Sequence, residues 1–411
     1  MKITATFISF LLIILFLRFY SYYSNLEEYT GGEEVEFEHT FLQEGRAATY
    51  YQSFRHGDIW VYTSVFPRYE YGDVVRVSGV VEEKGVGEGH TRLVLSNPEV
   101  EKLEDMHVWL SLVSDIRGRV TQVFESYLGG EEAGLLLGIV FGVRTGMSED
   151  LNEVFRATGV LHVVAASGAN IALVGGFLMA LFGRIGSRVL QVVIVSAGIA
   201  FYALISGGEA SILRASVMGV FAYTGAIFGR QYSGYLGLFF AVYVLLLLQP
   251  SIWRDVGFLL SVSSTFGILL FQLPIHKVFS KAWHIAFLED FSTSFAATVG
   301  NLPILLLFFG TFPLLSLLVN VLVLWTVPFL MILGGAGAML GVVHEVLAVP
   351  FLYLSIPLLS YFLWLVQLFP QDLFLSIENF SVWYVLGYYF ILLAGIVWWR
   401  GRKVHNKNMF L

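Results

Sequence analysis

The chain contains no cysteine among its 411 residues, and charged residues make up only 13% of it. The missing thiols exclude disulfide frameworks, thiolate nucleophiles and cysteine-ligated zinc sites. The low charge excludes an ordinary soluble domain, in which roughly 25% of the residues are charged. Walker motifs, His-x-x-x-His zinc helices and dinucleotide fingerprints are also missing from the sequence. We therefore expect no catalytic residue, no metal, no cofactor and no energy-coupling engine within this chain.

Apolar residues dominate what is present, because 56% of the chain is hydrophobic and 16% is aromatic. About ten apolar segments have the roughly 17–25 residues that a bilayer demands. The sequence thus predicts a polytopic α-helical membrane protein. After a first segment at 3–20, the expected spans are 160–183, 187–206, 210–229, 233–249, 255–273, 291–310, 314–334, 335–357, the overlapping 346–369, and 382–399.

An acidic segment follows the first apolar stretch. Residues 21–106 hold 17 acidic and 7 basic side chains, whereas the rest of the chain is slightly basic. Five short stretches in it alternate apolar and polar residues between Gly, Pro and Asp, which is typical of strands. These stretches are 33–40, 48–55, 58–65, 73–82 and 91–97. The pattern predicts a small all-β, OB-like barrel over residues 30–105.

The two ends of the chain predict its orientation. Residues 1–22 are expected to form an uncleaved anchor, with a signal peptide as the alternative because the apolar run also has that length. Residues 401–411 form a basic tail that favours the cytoplasm, and Lys2 favours the same side for the N-terminus. The β-domain would then lie outside the cytoplasmic membrane, and 107–400 would form a multi-helix membrane domain.

The start of that membrane domain contains shorter elements. Residues 107–128 have the apolar spacing of an amphipathic helix. The apolar patch 133–143 is too short to span a bilayer and is expected to be interfacial or re-entrant. Ser148 is predicted to be the N-cap of a helix that stops at Gly159.

Three polar side chains, His162, Ser167 and Asn170, fall within nine positions at the start of an apolar stretch. Polar groups at membrane depth are costly unless they meet a partner or water. On a continuous helix all three side chains could face one side, whereas a break at Gly168 would open backbone groups to a cavity. The alternative is a helix–helix contact, because the small residues from Ala165 to Ala169 allow close packing.

Four further polar residues interrupt later apolar stretches. Arg214 is expected inside a span, where it either pairs with Glu209, snorkels to the interface or contacts an anion along a pathway. Asp255 has the position of an N-cap, and Ser261 begins a group of hydroxyls that could simply bond backbone carbonyls. Asn320 is isolated among apolar residues, where an interhelical hydrogen bond is expected.

Four runs, in order along residues 130–335, resemble the signatures of the ComEC family of competence proteins, which move transforming DNA across the cytoplasmic membrane. The first resembles the family's His-Leu-Leu-Ala-Ile-Ser-Gly-Leu-His run, with Asn170 in place of the second His. The third resembles Asp-x-Gly-Phe-Gln-Leu-Ser, with Leu259 in place of Gln. The matching positions are His162, Ala165, Ser167 and Gly168; Ser211, Arg214, Ala215 and Met218; Asp255 to Ser261; and Leu302–Pro303, Phe309–Gly310 and Ser316 to Asn320.

The resemblance implies a membrane channel for single-stranded DNA that is not itself an enzyme. It implies that Arg214 contacts phosphate, that Asp255 and Asn320 hold helices in place, and that Asn170 forms hydrogen bonds instead of serving proton or metal chemistry. The residues implied to line or shape the path are His162, Ser167, Gly168, Asn170, Arg214, Asp255, Ser261 and Asn320.

The implied partners are single-stranded DNA, membrane lipid, a separate DNA receptor, a cytoplasmic translocation ATPase and a separate nuclease, and the channel could be oligomeric. Two departures from the family are visible: the external domain has no cysteines, and the carboxy-terminal metallo-hydrolase domain of longer members is missing. Aromatic side chains of the β-domain could stack bases, but we expect them in the barrel core, and an acidic surface repels DNA. These side chains are Tyr50, Tyr51, Phe54, Trp60 and Tyr62. The domain is therefore expected to act as a gate or a docking module.

Two other functions stay open. Ala166-Ser167-Gly168 is similar to the short serine motif of rhomboid proteases, which would make the chain an intramembrane serine hydrolase with His162 or His344 as the base. A small-molecule transporter is the other alternative, since it too would place polar groups at membrane depth.

Overall fold

The structure is a computed structural model of the chain, and its described residues fall into an N-terminal helix, a β-domain and a helical membrane domain. The described residues are 2–25, 29–41, 46–47, 51–57, 59–64, 66–67, 69, 72–85, 91–103, 108–143, 147–164, 167–280, 288–370, 373–377 and 380–408. Tyr50, Ala165 and Ala166, which entered the sequence predictions, lie outside these ranges.

The β-domain is one seven-stranded sheet. The five predicted stretches are confirmed as strands, and two short strands, β2 and β7, were not predicted because each is too short to show a clear alternation. The strands are β1 Glu34–Thr40, β2 Arg46–Ala47, β3 Tyr51–His56, β4 Ile59–Ser64, β5 Val74–Gly85, β6 Thr91–Ser96 and β7 Glu99–Leu103.

The order of the strands agrees with the predicted OB-like barrel. It runs β1-β5-β6-β4-β3-β2, with β7 also paired to β5, so that β1 and β2, neighbours in the chain, stand at the two ends of the sheet. Strands β4 and β6 are parallel, and the other pairs are antiparallel. Every second residue of β4 and β5 points into the core, as Ile59, Val61, Val75 and Val77 do.

The remaining described elements are helical apart from one small two-stranded sheet. The helices are α1 Lys2–Ser24, α2 Val108–Tyr127, α3 Gly130–Phe141, α4 Glu149–Ala157, α5 Leu161–Val164, α6 Gly168–Phe182, α7 Arg188–Ile205, α8 Ala210–Ile227, α9 Gly234–Leu248, α10 Val256–Phe279, α11 Leu288–Phe309, α12 Ser316–Val323, α13 Val327–Val343, α14 Glu345–Leu368 and α15 Val382–Asn408. Two 3₁₀ turns, Pro250–Arg254 and Leu324–Thr326, and the paired strands β8 Thr311–Pro313 and β9 Phe374–Ser376 complete the set.

The helical part confirms a polytopic membrane protein. Seven helical segments of the described chain are long and apolar enough to cross a bilayer, and three shorter apolar helices accompany them. The predicted span 335–357 is wrong, because α13 ends at Val343 and α14 begins at Glu345. His344 divides them: its backbone is extended, and its Nδ1 accepts a hydrogen bond from the N–H of Val346 at 3.3 Å.

The short helix α3 lies inside the membrane domain. All residues from Ala133 to Val140 are buried, which excludes the predicted interfacial position because an interfacial helix keeps one face in water. Helices α2, α13 and α14 contribute to the same apolar core. Gly138 faces Val164 so closely that a Cβ there would overlap the valine side chain. The helix is therefore enclosed by protein on every side.

The N-caps predicted at Ser148 and Asp255 are confirmed. The Ser148 hydroxyl accepts a hydrogen bond from the N–H of Leu151 at 3.2 Å, and α4 ends before Gly159, whose φ is +73°. Only Gly adopts such a left-handed angle without strain, so the chain turns there. The Asp255 carboxylate accepts a hydrogen bond from the N–H of Phe258 at 2.7 Å.

A proline inside α11 is compensated by hydrogen bonds from α15. Pro303 has no N–H, so the carbonyl of Val299 loses its helical donor. The hydroxyl of Tyr388 donates to that carbonyl at 2.8 Å, and the hydroxyl of Tyr389 donates to the carbonyl of Gly300 at 2.8 Å. The two tyrosines thus satisfy backbone groups that no water reaches in a bilayer.

Candidate functional site

The apolar segment that contains the first polar run is a broken helix. Helix α5 ends at Val164 and α6 begins at Gly168, with Ser167 in an extended conformation (φ −120°, ψ 176°) as its N-cap. The first turn of α6 has no side-chain cap among the described residues. The N–H of Asn170, in this first turn, donates to the carbonyl of Ser167 at 3.1 Å. The N–H groups of Gly168 and Ala169 precede it at the positive end of the helix dipole.

Arg214 on α8 lies next to this start of α6. Its side chain is buried, with 7% of its surface exposed. Its terminal nitrogen Nη2 is 4.0 Å from the point where a Cβ on Gly168 would stand. The Cβ of Ala215 is nearer to the same point, at 3.6 Å, so Ala215 and the guanidinium both border the start of α6.

Neutral side chains hold the guanidinium in place. The Nε–H of Arg214 donates to the Ser261 hydroxyl at 2.9 Å, and its Nη1 donates to the Thr265 hydroxyl and to the Met218 sulfur. Among the described residues these contacts, and not the predicted Glu209 carboxylate, anchor Arg214. Hydroxyls and a thioether orient the charge without neutralising it, so the positive charge of Arg214 persists.

The spacing of these partners follows from helix geometry. Arg214 and Met218 are four residues apart on α8, and Ser261 and Thr265 are four residues apart on α10, so each pair shares one helix face. The Thr265 hydroxyl donates to the carbonyl of Ser261 at 2.8 Å, which turns its lone pairs towards Arg214. The sequence interpretation that these hydroxyls bond carbonyls is thus confirmed for Thr265, but it missed their second role.

Asn170 joins α6 to α3 and α7. It is buried, and its Nδ2 donates to the carbonyl of Ile139 at 2.8 Å and to the Tyr202 hydroxyl at 3.0 Å. Tyr202 in turn donates to the carbonyl of Val140 at 2.7 Å. Ile139 and Val140 lie at the end of α3, where carbonyls have no helical partner. Asn170 and Tyr202 therefore cap α3 inside the protein, and Tyr202 is a site residue that the sequence did not reveal.

Ser167 contacts Asn170 and not a histidine. Its hydroxyl donates to the Oδ1 of Asn170 at 3.4 Å. A nucleophilic serine needs a base within hydrogen-bond reach. No hydrogen bond between Ser167 and a histidine exists within the part of the chain that the structure describes.

His162 lies on the short helix α5, and its side chain is exposed. Its Nδ1 lies 2.9 Å from the carbonyl of Gly159, and since a carbonyl only accepts, Nδ1 carries the proton. The turn at Gly159 packs on Ser316, the first residue of α12. The carbonyl of Gly159 thus fixes the direction of the ring and leaves Nε2 on its far side.

The other two predicted site residues lie elsewhere. Asp255 is an exposed cap, about 9 Å along the axis of α10 from Ser261 by helix rise. Asn320 is buried in α12, and its Oδ1 has no hydrogen-bond partner among the described residues, so the predicted interhelical bond does not engage this oxygen. No group of three or more potential metal ligands occurs within the described ranges.

The structure thus distributes the predicted residues over distinct places. Gly168, Arg214 and Ser261 lie close together where α6, α8 and α10 pack. Ser167 and Asn170 belong instead to the hydrogen-bonded group that caps the end of α3. His162, Asp255 and Asn320 stand apart from these groups.

Comparison with known proteins covers this whole region. A family model described as Competence protein matches residues 139–402, which is more than half of the chain and includes every predicted site residue. ComE operon protein 3 of Bacillus subtilis (strain 168) is 25% identical over 231 residues, which are 56% of this chain and 29% of that protein. The match thus spans less than a third of the length of that relative. No solved structure matches the chain.

Proposed function

This chain belongs to the competence protein family, and we propose that it acts in the uptake of transforming DNA, as a channel that carries single-stranded DNA across the cytoplasmic membrane. The observation that carries the proposal is the guanidinium of Arg214. It is buried, its described side-chain contacts are two hydroxyls and a thioether and include no carboxylate, and its Nη2 lies near Gly168 at the start of α6. An uncompensated charge at membrane depth is costly and marks an ion or substrate path.

The chemistry of this place suits a phosphate. Arginine and the first N–H groups of a helix are both preferred donors to phosphate oxygens, and here they lie side by side. A bound phosphodiester would neutralise the guanidinium only while it passes, because the fixed partners of Arg214 are neutral. A single strand carries one phosphate per 3.4 Å, half the charge density of a duplex, so few fixed cations are required.

The remaining residues receive supporting roles in this proposal. Ser261 and Thr265 set the direction of the guanidinium, and Gly168 leaves room for the ligand. His162 lines the path, and Ser167 and Asn170 hold the start of α6. Asp255 and Asn320 shape α10 and α12.

The organisation of the chain follows from the same proposal. Residues 1–22 anchor the chain, residues 30–105 form the domain outside the membrane, and residues 107–400 form the channel in contact with lipid. The tail from 401 to 411 and the N-terminus lie in the cytoplasm. A separate DNA receptor, a cytoplasmic translocation ATPase and a separate nuclease supply capture, driving force and removal of the other strand, and several chains could assemble.

Replacement of Arg214 tests the proposal. In a strain that lacks the chromosomal gene, we expect Arg214→Gln to lower DNase-protected uptake of labelled DNA by at least about tenfold, which corresponds to loss of one charge-assisted hydrogen bond of about 1.5–3 kcal/mol. Arg214→Lys should restore part of the uptake, because it keeps the charge but not the fork of donors. Arg230→Gln, at an exposed position just after α8, is the matched control. Unchanged uptake in Arg214→Gln, or in the strain without the protein, refutes the channel.

The alternatives predict other outcomes. The Ser167 contact with Asn170 gives no support to a serine hydrolase, and Ser167→Ala would then leave membrane proteolysis unchanged. A small-molecule transporter would instead bind one solute saturably, with no dependence of DNA uptake on Arg214.

A further inference from the structure

Among the described residues of the β-domain, the charges are separated between two parts of the sheet. On the outer face of β1, β5 and β7, the carboxylates of Glu36, Glu38 and Glu101 surround Arg76, at 3.3, 3.3 and 3.9 Å. Glu34 and Glu99 lie on the same face by the register of these strands. Five carboxylates against one cation make this part of the domain repel DNA.

The outer face of β3, β4 and β6 has the opposite character. Trp60 and Tyr62 alternate with the buried Ile59 and Val61, so both rings point outwards, and Tyr51 is 45% exposed. The expectation that these three side chains fill the core is therefore wrong, although it is correct for Phe54. The centroids of Tyr51 and Tyr62 are 5.4 Å apart, and those of Trp60 and Tyr62 are 6.5 Å apart.

Basic side chains border this row of rings. The guanidinium of Arg92 lies 5.2 Å from the centre of the Trp60 ring, and Arg55 is the direct cross-strand partner of Trp60. Lys84 is opposite Arg92 in the register and bonds the Ser96 hydroxyl at 2.8 Å. Glu82, 3.8 Å from Lys84, is the acidic residue that shares this register. We call the set Tyr51, Arg55, Trp60, Tyr62, Lys84 and Arg92 the aromatic face.

We propose that the aromatic face binds single-stranded DNA by stacking unpaired bases on Trp60, Tyr62 and Tyr51. The inference rests on the proposed function, because it takes its ligand from it. Three adjacent rings offer stacking surface for two or three successive bases, and the bordering cations suit their phosphates. Arg92 contributes as well, since bases stack on guanidinium planes as they do on rings.

A duplex fits this face poorly. Its bases are already stacked and their planes are not accessible, so a duplex would use only the three cations while the acidic part of the same small domain repels it. The acidic part thus adds to selectivity, because it penalises the ligand with the higher charge density. The net acidic charge of the domain does not reveal this separation of acidic and basic side chains.

Binding of a labelled oligonucleotide to the full-length protein tests the inference. Fluorescein-labelled (dT)15 is titrated with the chain in nanodiscs of zwitterionic lipid, in the Arg214→Gln background so that the membrane site does not contribute. Trp60→Ala with Tyr62→Ala is expected to weaken binding at least about twentyfold, because each ring–base stack contributes a factor of about five or more. Trp60→Phe should keep most of the affinity.

Two single replacements guard against a folding defect. Arg92→Gln removes an exposed cation from the aromatic face and should weaken binding several-fold. Arg76→Gln removes the same charge from the acidic part, where we expect no loss beyond twofold. A 15-bp duplex should compete at least tenfold less well than (dT)15. Equal affinity of the ring variant and its parent, equal losses in Arg92→Gln and Arg76→Gln, equal competition by the duplex, or no saturable binding overturns the inference.

The outcomes separate this inference from the channel. If DNA uptake is normal with Arg214→Gln while the ring variant still loses binding to (dT)15, the channel proposal is refuted and the proposal for the aromatic face is supported. If DNA uptake is lost with Arg214→Gln while the ring variant binds (dT)15 like its parent, the proposal for the aromatic face is refuted and the channel proposal is supported.

Discussion

Replacing Asn170 with alanine is expected to destabilise the membrane domain by about 2–3 kcal/mol. The change removes the donor to the carbonyl of Ile139 at 2.8 Å and the donor to the Tyr202 hydroxyl at 3.0 Å. A buried carbonyl left without a donor costs about 1–3 kcal/mol, and the small cavity adds to this. Water does not replace the lost donor, because Ala133 to Val140 are all buried.

A double-mutant cycle with Tyr202→Phe isolates the side-chain contact from the cavity. Interhelical hydrogen bonds in membranes contribute about 0.6 kcal/mol on average and up to about 1.7. Because Tyr202 also donates to Val140, we expect a coupling energy in the upper half of that range, about 1–1.5 kcal/mol. Reversible unfolding in mixed micelles supplies the four free energies of unfolding.

Asn152 is the matched control for this cycle. It is an exposed amide that bonds only the carbonyl of Ser148, at 3.2 Å, among its described contacts, so Asn152→Ala should stay within about 0.5 kcal/mol of the parent. A coupling energy of zero within error, or equal losses for Asn170→Ala and Asn152→Ala, would refute the assignment of Asn170 and Tyr202 as the cap of α3.

Two further predictions concern other parts of the molecule. Burial, together with the charge of His56, lowers the pKa of His39 to about 4, and burial lowers the pKa of His56. An unfolded imidazole titrates near pH 6.5, so the folded β-domain binds fewer protons between pH 6.5 and 4 and should lose stability as the pH falls through that window. Thermal unfolding at pH 7.5 and 5 should show a smaller loss for His39→Gln than for the parent, and equal losses would contradict the cause. Tyr388→Phe should lower the free energy of unfolding by about 0.5–1.5 kcal/mol. Most of this loss should disappear in a Pro303→Ala background, where the N–H of residue 303 can again donate to the carbonyl of Val299. Unfolding in micelles supplies these free energies. An equal loss in both backgrounds would contradict the idea that the Tyr388 hydroxyl replaces the donor that Pro303 lacks.

The hydroxyl partners of Arg214 show why the candidate site was only partly predictable. The i,i+4 spacing of Ser261 and Thr265 predicts that they share a face of α10, but it does not predict which helix that face meets. Arg214 is 47 residues from Ser261 in the chain. Glu209, one of the alternatives for Arg214, is near in sequence, whereas the described partners are set by the packing of α8 against α10.

The aromatic face shows a different limit. In β4 the residues that alternate with Ile59 and Val61 are Trp60 and Tyr62, whose rings could also be buried, so alternation alone does not say which set faces inwards. The packing of the whole sheet decides it: Ile59 and Val61 join the buried core, while Trp60 lies on the other face beside Arg92. Asn170 is similar: the sequence predicts a polar group that needs a partner, and only the position of α3 supplies the carbonyl of Ile139.

By itself the sequence determined the class of the protein, most helix and strand positions, the caps at Ser148 and Asp255, and the ordered runs that resemble its family. These features are local, because apolar period, segment length and capping depend on neighbours within a few residues. The tertiary structure alone decided that Arg214 is held by hydroxyls beside the start of α6, that Asn170 and Tyr202 cap a buried helix, and that the acidic domain carries a basic aromatic face. Those features join residues far apart in the chain, and the packing of whole elements, which no local pattern encodes, brings them together.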